Sequence, residues 1–154
     1  MALLAVFSSC TTQGSLGELE GERPDPSLTP EEVVQIQMNA FRNNDEEDRG
    51  IEIAFRFASP ANKQLTGPLP RFSRMMRTVL YEPMLLAEEV TVSEAEIQGR
   101  LARVFVSLRT PEGNRYDYVF FLSRQTQGDY TDCWMTEGVS VLDQPGNGGG
   151  TTVI

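Results

Sequence analysis

The chain has 154 residues, 40% hydrophobic and 23% charged, which fits one soluble domain around a single core and excludes a two-domain enzyme. Asp and Glu number 22 against 13 Lys and Arg, and a net charge of -9 argues against nucleic acid or an anionic membrane surface as the partner. There is no histidine, which removes Ser-His and Cys-His nucleophile pairs, imidazole bases and most zinc sites; neither a metal nor a cofactor is expected.

Met1 to Ser9 are apolar to small, with no basic residue ahead of them, and too short to cross a bilayer; no later segment reads as transmembrane. Leu3-Leu4-Ala5-Val6-Phe7-Ser8-Ser9-Cys10 has the outline of the end of a lipoprotein export signal, which would make Cys10 a lipidation site. A shortened plastid-targeting segment, a truncated signal or a displaced start fits the same residues, so the compartment stays open between exported or lipid-anchored, plastid and plainly soluble. From Thr11 to Ser27 the composition turns to Gly, Ser, Glu and Pro, and residues 1–27 are read as a targeting remnant and flexible tether. Residues 144–154 are a glycine-rich tail, leaving 28–143 as the folded domain. Cys10 and Cys133 are the only thiols, so a disulfide-stapled scaffold is excluded.

Thr29-Pro30-Glu31-Glu32 starts a helix with three agreeing signals: a hydroxyl cap, proline at the first position and a glutamate closing a capping box. Val33, Val34, Ile36, Ala40 and Phe41 continue it at helical spacing to Asn43-Asn44. In Gly50 to Ala58 the residues Ile51, Ile53, Phe55 and Phe57 alternate like a strand, while Ile51, Ala54, Phe55 and Ala58 form a helical stripe; period alone leaves both open. Pro60 closes the segment. Pro68-Leu69-Pro70 opens a short helix with Leu69, Phe72, Met75 and Met76 inward and Arg71, Arg74 and Arg77 outward. After Pro83, runs at about 87–97, 100–109, 115–123 and 133–142 read as four antiparallel strands joined by turns at Gln98-Gly99, 111–114 and 127–129. The fold class is α+β, helices first and covering one face of a meander.

Several segments then resemble a known family. Glu31 to Gln37, Asn44-Asp45, Gly50 to Pro60, Leu65-Thr66-Gly67-Pro68-Leu69, Phe72 with Met75-Met76, Tyr81 with Pro83, and Cys133 to Val139 are similar, in this order, to the nuclear transport factor 2-like (cystatin-like) superfamily, in a branch found in plants, algae and bacteria. The resemblance implies a cone in which N-terminal helices pack on a curved sheet, a helix at Ile51 to Ala58, and a homodimer through the sheet face. It implies no reaction, since the superfamily holds isomerases, dehydratases, cyclases and non-catalytic modules. Its enzymes place Asp, His or Tyr in the cone, and the lack of histidine shifts the balance to a non-catalytic binding or interaction module.

The alternatives are an isomerase or cyclase using Asp117 or Glu137, beside aromatic neighbours that raise a carboxylate pKa, and an accessory subunit of a larger assembly. Phe72, Met76, Tyr81, Phe105, Tyr118, Phe120 and Trp134 are the candidate lining of a cone pocket, though a core needs the same residues. On the other sheet face, Arg103, Phe105 and Arg109 alternate with inward Val104, Val106 and Leu108. Residues 18–52 carry 11 acids and three arginines, whereas no acid lies between Ile53 and Tyr81. Arg71, Arg74 and Arg77 therefore suit an anionic ligand or acidic partner, or pair with the acidic stretch within the fold. The Asn43–Asp48 loop lacks calcium-loop spacing, and Cys133 has no histidine to activate it. The expected partner is a protein or a small apolar ligand.

Overall fold

The structure, a computed structural model, describes residues 14–143, and the proposed lipidation site Cys10 lies outside them. It is an α+β fold: six helices packed against one face of a curved, open antiparallel sheet of five strands.

Within the stretch expected to be a tether, Ser15 and Glu18 close a capping box over α1 (Leu16–Leu19), and Leu19 is buried against the core. The helix α2 (Pro30–Arg42) begins at the box of Thr29, whose Oγ1 accepts from Glu32 N at 3.2 Å while Glu32 Oε2 accepts from Thr29 N at 2.8 Å. It buries Val33, Val34, Met38 and Phe41. The ambiguous segment is helical, α3 (Arg49–Arg56), with Ile51, Ile53 and Ala54 buried. Immediately after it the backbone changes role. Ala58 forms a parallel bridge with Thr136, and Ser59 N donates to Thr136 O at 2.9 Å, so the chain lines the edge of the last strand.

Pro60 starts a helix as well as ending the previous segment: Ser59 caps α4 (Pro60–Thr66), with proline in its first turn. α5 (Leu69–Met76) buries Phe72, Ser73 and Met76, and α6 (Glu82–Leu85) buries Pro83 and Met84.

The first of the four expected strands is two strands, β1 (Glu89–Val92) and β2 (Glu96–Gln98), both paired with β3 (Leu101–Arg109). Ser93 causes the break. Its Oγ accepts from Phe105 N at 3.0 Å in place of a ladder carbonyl, and two residues on, Ala95 N leaves the sheet to donate to Glu31 Oε1 of α2 at 2.6 Å. β4 (Arg115–Arg124) and β5 (Trp134–Asp143) complete the order β1-β3-β4-β5, with β2 beside β3.

Alternation along β3 and β4 sends Ala102, Val104, Val106, Leu108, Tyr118, Phe120 and Leu122 into the core. On β5 the register slips: Phe121 faces Gly138 and Leu122 faces Thr136, which leaves Glu137 as an extra, bulged residue.

Candidate functional site

Inside the cone, α2, α4, α5 and α6 close over β4 and β5. Phe72, Met76, Tyr81 and Phe120 of the expected lining meet there, with Gln37, Asn62, Thr66, Met84 and Thr136, around a cavity of only about 30 Å³. That is the size of about one or two water molecules. A polar ladder runs along its wall: Thr136 Oγ1 donates to Gln37 Oε1 at 2.7 Å, Asn62 Nδ2 to Thr136 O at 3.1 Å, and Thr66 Oγ1 to Asn62 O at 2.9 Å. Tyr81 is buried with no partner for its hydroxyl among the described residues, and burial pushes its phenol up to about 12.

The other expected lining residues are elsewhere. Tyr118 is core, its hydroxyl donating to Leu80 O at 2.8 Å, and Trp134 is buried at the start of β5. Phe105 belongs to the outer face, because period-two alternation groups it with Leu101 and Arg103; the Arg103 guanidinium lies 5.9 Å from its ring. Asp117 shares that alternation, on the opposite side from Tyr116 and Tyr118, and accepts from Arg115 Nε at 3.1 Å. Cys133 is buried, and its thiol is pushed up by that burial and by Asp25 and Asp132, the reverse of an activated nucleophile.

The acidic and basic stretches meet. Asp48, in the left-handed conformation at φ 60°, accepts from Arg77 Nη1 at 3.1 Å, from Arg77 Nη2 and Ser73 Oγ at shorter range, and from Asn44 Nδ2 at 3.1 Å. Arg56 pairs with Glu52 at 3.4 Å and donates to Glu20 O at 2.9 Å. Lys63 turns back onto Arg56 O at 3.1 Å. Arg77 is therefore committed within the fold; Arg71 and Arg74 are exposed on α5 without an ion-pair partner among the described residues.

The Arg77 hydrogen bonds hold the Asp48 carboxyl well below its ordinary 3.8, so this contribution is complete at neutral pH and is lost as pH falls below 3.8 toward the folded value. Asn tolerates the left-handed backbone, so Asp48→Asn keeps the turn while it removes the charge and turns one of the two acceptor oxygens into a donor. It is expected to cost about 1–2 kcal/mol near neutrality, a figure discounted for a partly exposed pair. The difference from wild type should shrink as urea melts are repeated below about pH 4; a gap that stays constant with pH refutes this assignment.

On the outer sheet face a groove of about 480 Å³ is lined by Glu96, Ile97, Gln98, Leu101, Arg103, Phe121 and Glu137, with Ala102 and Leu122. Register explains the assembly: Glu96 faces Arg103, Arg103 faces Phe121, Phe121 faces Gly138, and Glu137 is the bulged neighbour. Its outward apolar residues are exposed, Leu101 at 63% and Phe121 at 36%, while Ile97 pairs with core-facing Ala102 and borders the groove from the inner side of the sheet edge. At one end Arg103 is paired with Glu96. At the other, Glu137 Oε2 accepts from Ser59 Oγ at 2.7 Å, and Oε1 from Ser123 Oγ at shorter range and Gln125 Nε2 at 3.4 Å. Of the two carboxylates singled out from sequence, Glu137 is the one in a concavity. Leu101 and Phe121 were missed, although apolar residues at 101, 105 and 121 on otherwise polar strand faces were a readable signal.

A family model described as a domain of unknown function (DUF4864) matches residues 25–149. The chain belongs to this family. No curated protein and no solved structure matches it. The DUF4864 match spans all of the elements from α2 to β5 and therefore both the small interior cavity and the outer groove.

Proposed function

We propose that this DUF4864 chain is a non-catalytic binding module on a nuclear transport factor 2-like framework, working through the outer face of its sheet. One contrast carries the reading: the interior is filled down to about 30 Å³, whereas the outer groove offers about 480 Å³. Ligand sites usually need several hundred cubic ångströms with apolar walls and few polar groups, and of these two spaces the groove is the one that reaches that size. Its exposed Leu101 and Phe121 are the kind of apolar residues that mark a contact surface.

Phenol serves as a neutral probe of both sites. Titrated into isotope-labelled protein, it is expected to shift the amide signals of Leu101 and Phe121 and the methyl signals of Leu101, and Leu101→Asp should weaken that response about tenfold without unfolding the exposed strand end. Shifts centred on Tyr81, Met84 and Val139 instead would place binding in the cone and overturn the reading. Light scattering on the same samples reports the other occupant, a second copy: a dimer broken by Leu101→Asp assigns the face to self-association.

A further inference from the structure

We propose that the groove receives an arginine-bearing peptide segment of a partner protein, with Glu137 accepting the cation and Leu101 and Phe121 receiving the apolar stem. The inference rests on the outer groove being the working surface and adds what it binds.

The bulge gives Glu137 an orientation that neither flanking residue has, and three donors then fix it: the hydroxyls of Ser59 and Ser123 and the amide of Gln125. All three are neutral. They hold the carboxylate in place without cancelling its charge, and among the described residues no Lys or Arg forms an ion pair with it. A carboxylate has about four acceptor positions, so these donors leave at least one open. Ser59 is itself fully buried and caps α4, which makes the anchoring hydroxyl part of the framework rather than a mobile surface group.

The remaining charges decide the sign of the occupant. Arg103 is already engaged by Glu96, so the groove holds two carboxylates against one guanidinium in a chain of net charge -9. An anionic guest meets net repulsion and a guanidinium whose charge Glu96 already offsets; a cation meets an anchored, unneutralised acceptor. A guanidinium suits it, because the planar fork forms charge-assisted hydrogen bonds while the propyl stem lies on exposed Leu101 and Phe121.

The dimensions favour a peptide over a small cation. The groove runs across four strands, from Glu96 on β2 to Glu137 on β5, and three inter-strand spacings make about 14 Å, the length of about four extended residues. A lone guanidinium fills one end.

The test uses the full chain, followed by amide chemical shifts, and three probes: acetyl-Ala-Leu-Ala-Arg-amide, the same peptide with citrulline replacing arginine, and n-butylguanidinium. The arginine peptide is expected to give saturable shifts at Leu101, Phe121, Ser123, Gln125 and Glu137. The neutral citrulline peptide should bind about tenfold more weakly or worse, and Glu137→Gln should impose a similar loss on the arginine peptide. Equal binding of the two peptides overturns the proposal on wild-type protein alone, whatever the variant does. Shifts spread over Asp45, Glu88 and Glu89 would mean diffuse attraction to an acidic protein and overturn it too. Butylguanidinium binding as tightly as the peptide would reassign the site to a small cation and refute the peptide as occupant. If phenol finds the groove but arginine shows no preference, only this inference fails; if phenol finds the cone, the reading beneath it fails.

Discussion

Gly50→Ala is expected to abolish stable folding, or to lower stability by about 3 kcal/mol or more. A Cβ at position 50 would stand 2.1 Å from the Ala40 carbonyl oxygen and 2.8 Å from the Asn44 Cα. Ordinary carbon contacts begin near about 3.5 Å, and both obstacles are backbone, so no change of rotamer relieves them. The backbone of α3 is pressed onto the end of α2 at this point, and separating the two would pull Ile51, Ile53 and Ala54 out of the core. Alanine is the better helix former by about 1 kcal/mol, which is too little to offset the clash. Urea denaturation followed by the fluorescence of buried Trp134 measures the loss. Gly17→Ala is the control: its Cβ would meet nothing within 4 Å in α1, and the variant should match wild type or exceed it slightly. A Gly50→Ala protein within about 0.5 kcal/mol of wild type would mean that the two helices are not in this close contact.

Where structure is written in short-range chemistry, the sequence is easy to read. The Thr29 box lies within four residues and specifies α2 without help from the rest of the fold. The helix-or-strand conflict at residues 50–58 has a physical origin, because the segment changes role partway. It is α3 to Arg56, and two residues later Ala58 pairs with Thr136, so neither period describes the whole of it. The break between β1 and β2 depends on Ser93 and on Glu31, 64 residues from the amide it accepts, and no local pattern carries that information. Charge segregation along the chain offered internal pairing of the acidic and basic stretches as one of two readings, and which arginine is consumed follows from the placement of Asp48 beside Ser73 and Arg77.

The functional surface is less legible for the same reason. Glu137 draws attention through Trp134 and Met135, yet the side chains that hold it are Ser59, Ser123 and Gln125, the first of them 78 residues away. The bulge that frees it from the ladder depends on how β5 pairs with β4. Phe105 is an aromatic of the right type for a pocket on the wrong side of its strand, and strand parity decides its place.

Phe120→Ala is expected to cost about 3–5 kcal/mol and to give the cone a binding site that wild type lacks. Phe120 is 1% exposed and forms part of the wall of the 30 Å³ cavity with Tyr81, Met84 and Val139. Removing its ring should enlarge that space to on the order of 100 Å³, lined mostly by apolar side chains, which suits a small aromatic molecule. Two results then separate. Benzene should raise the melting temperature of Phe120→Ala and leave wild type unchanged, since only a ligand that binds the folded form stabilises it. Phenol should stabilise the variant more than benzene does, because its hydroxyl can meet that of Tyr81, which has no partner among the described residues. If benzene stabilises wild type to the same extent, the interior already admits ligands and the closed cone, on which the outer-face reading depends, is wrong. If the variant is destabilised without gaining affinity for either molecule, the neighbouring Met76 and Met84 have collapsed into the vacated space, as flexible thioether side chains can, and the closed cone stands.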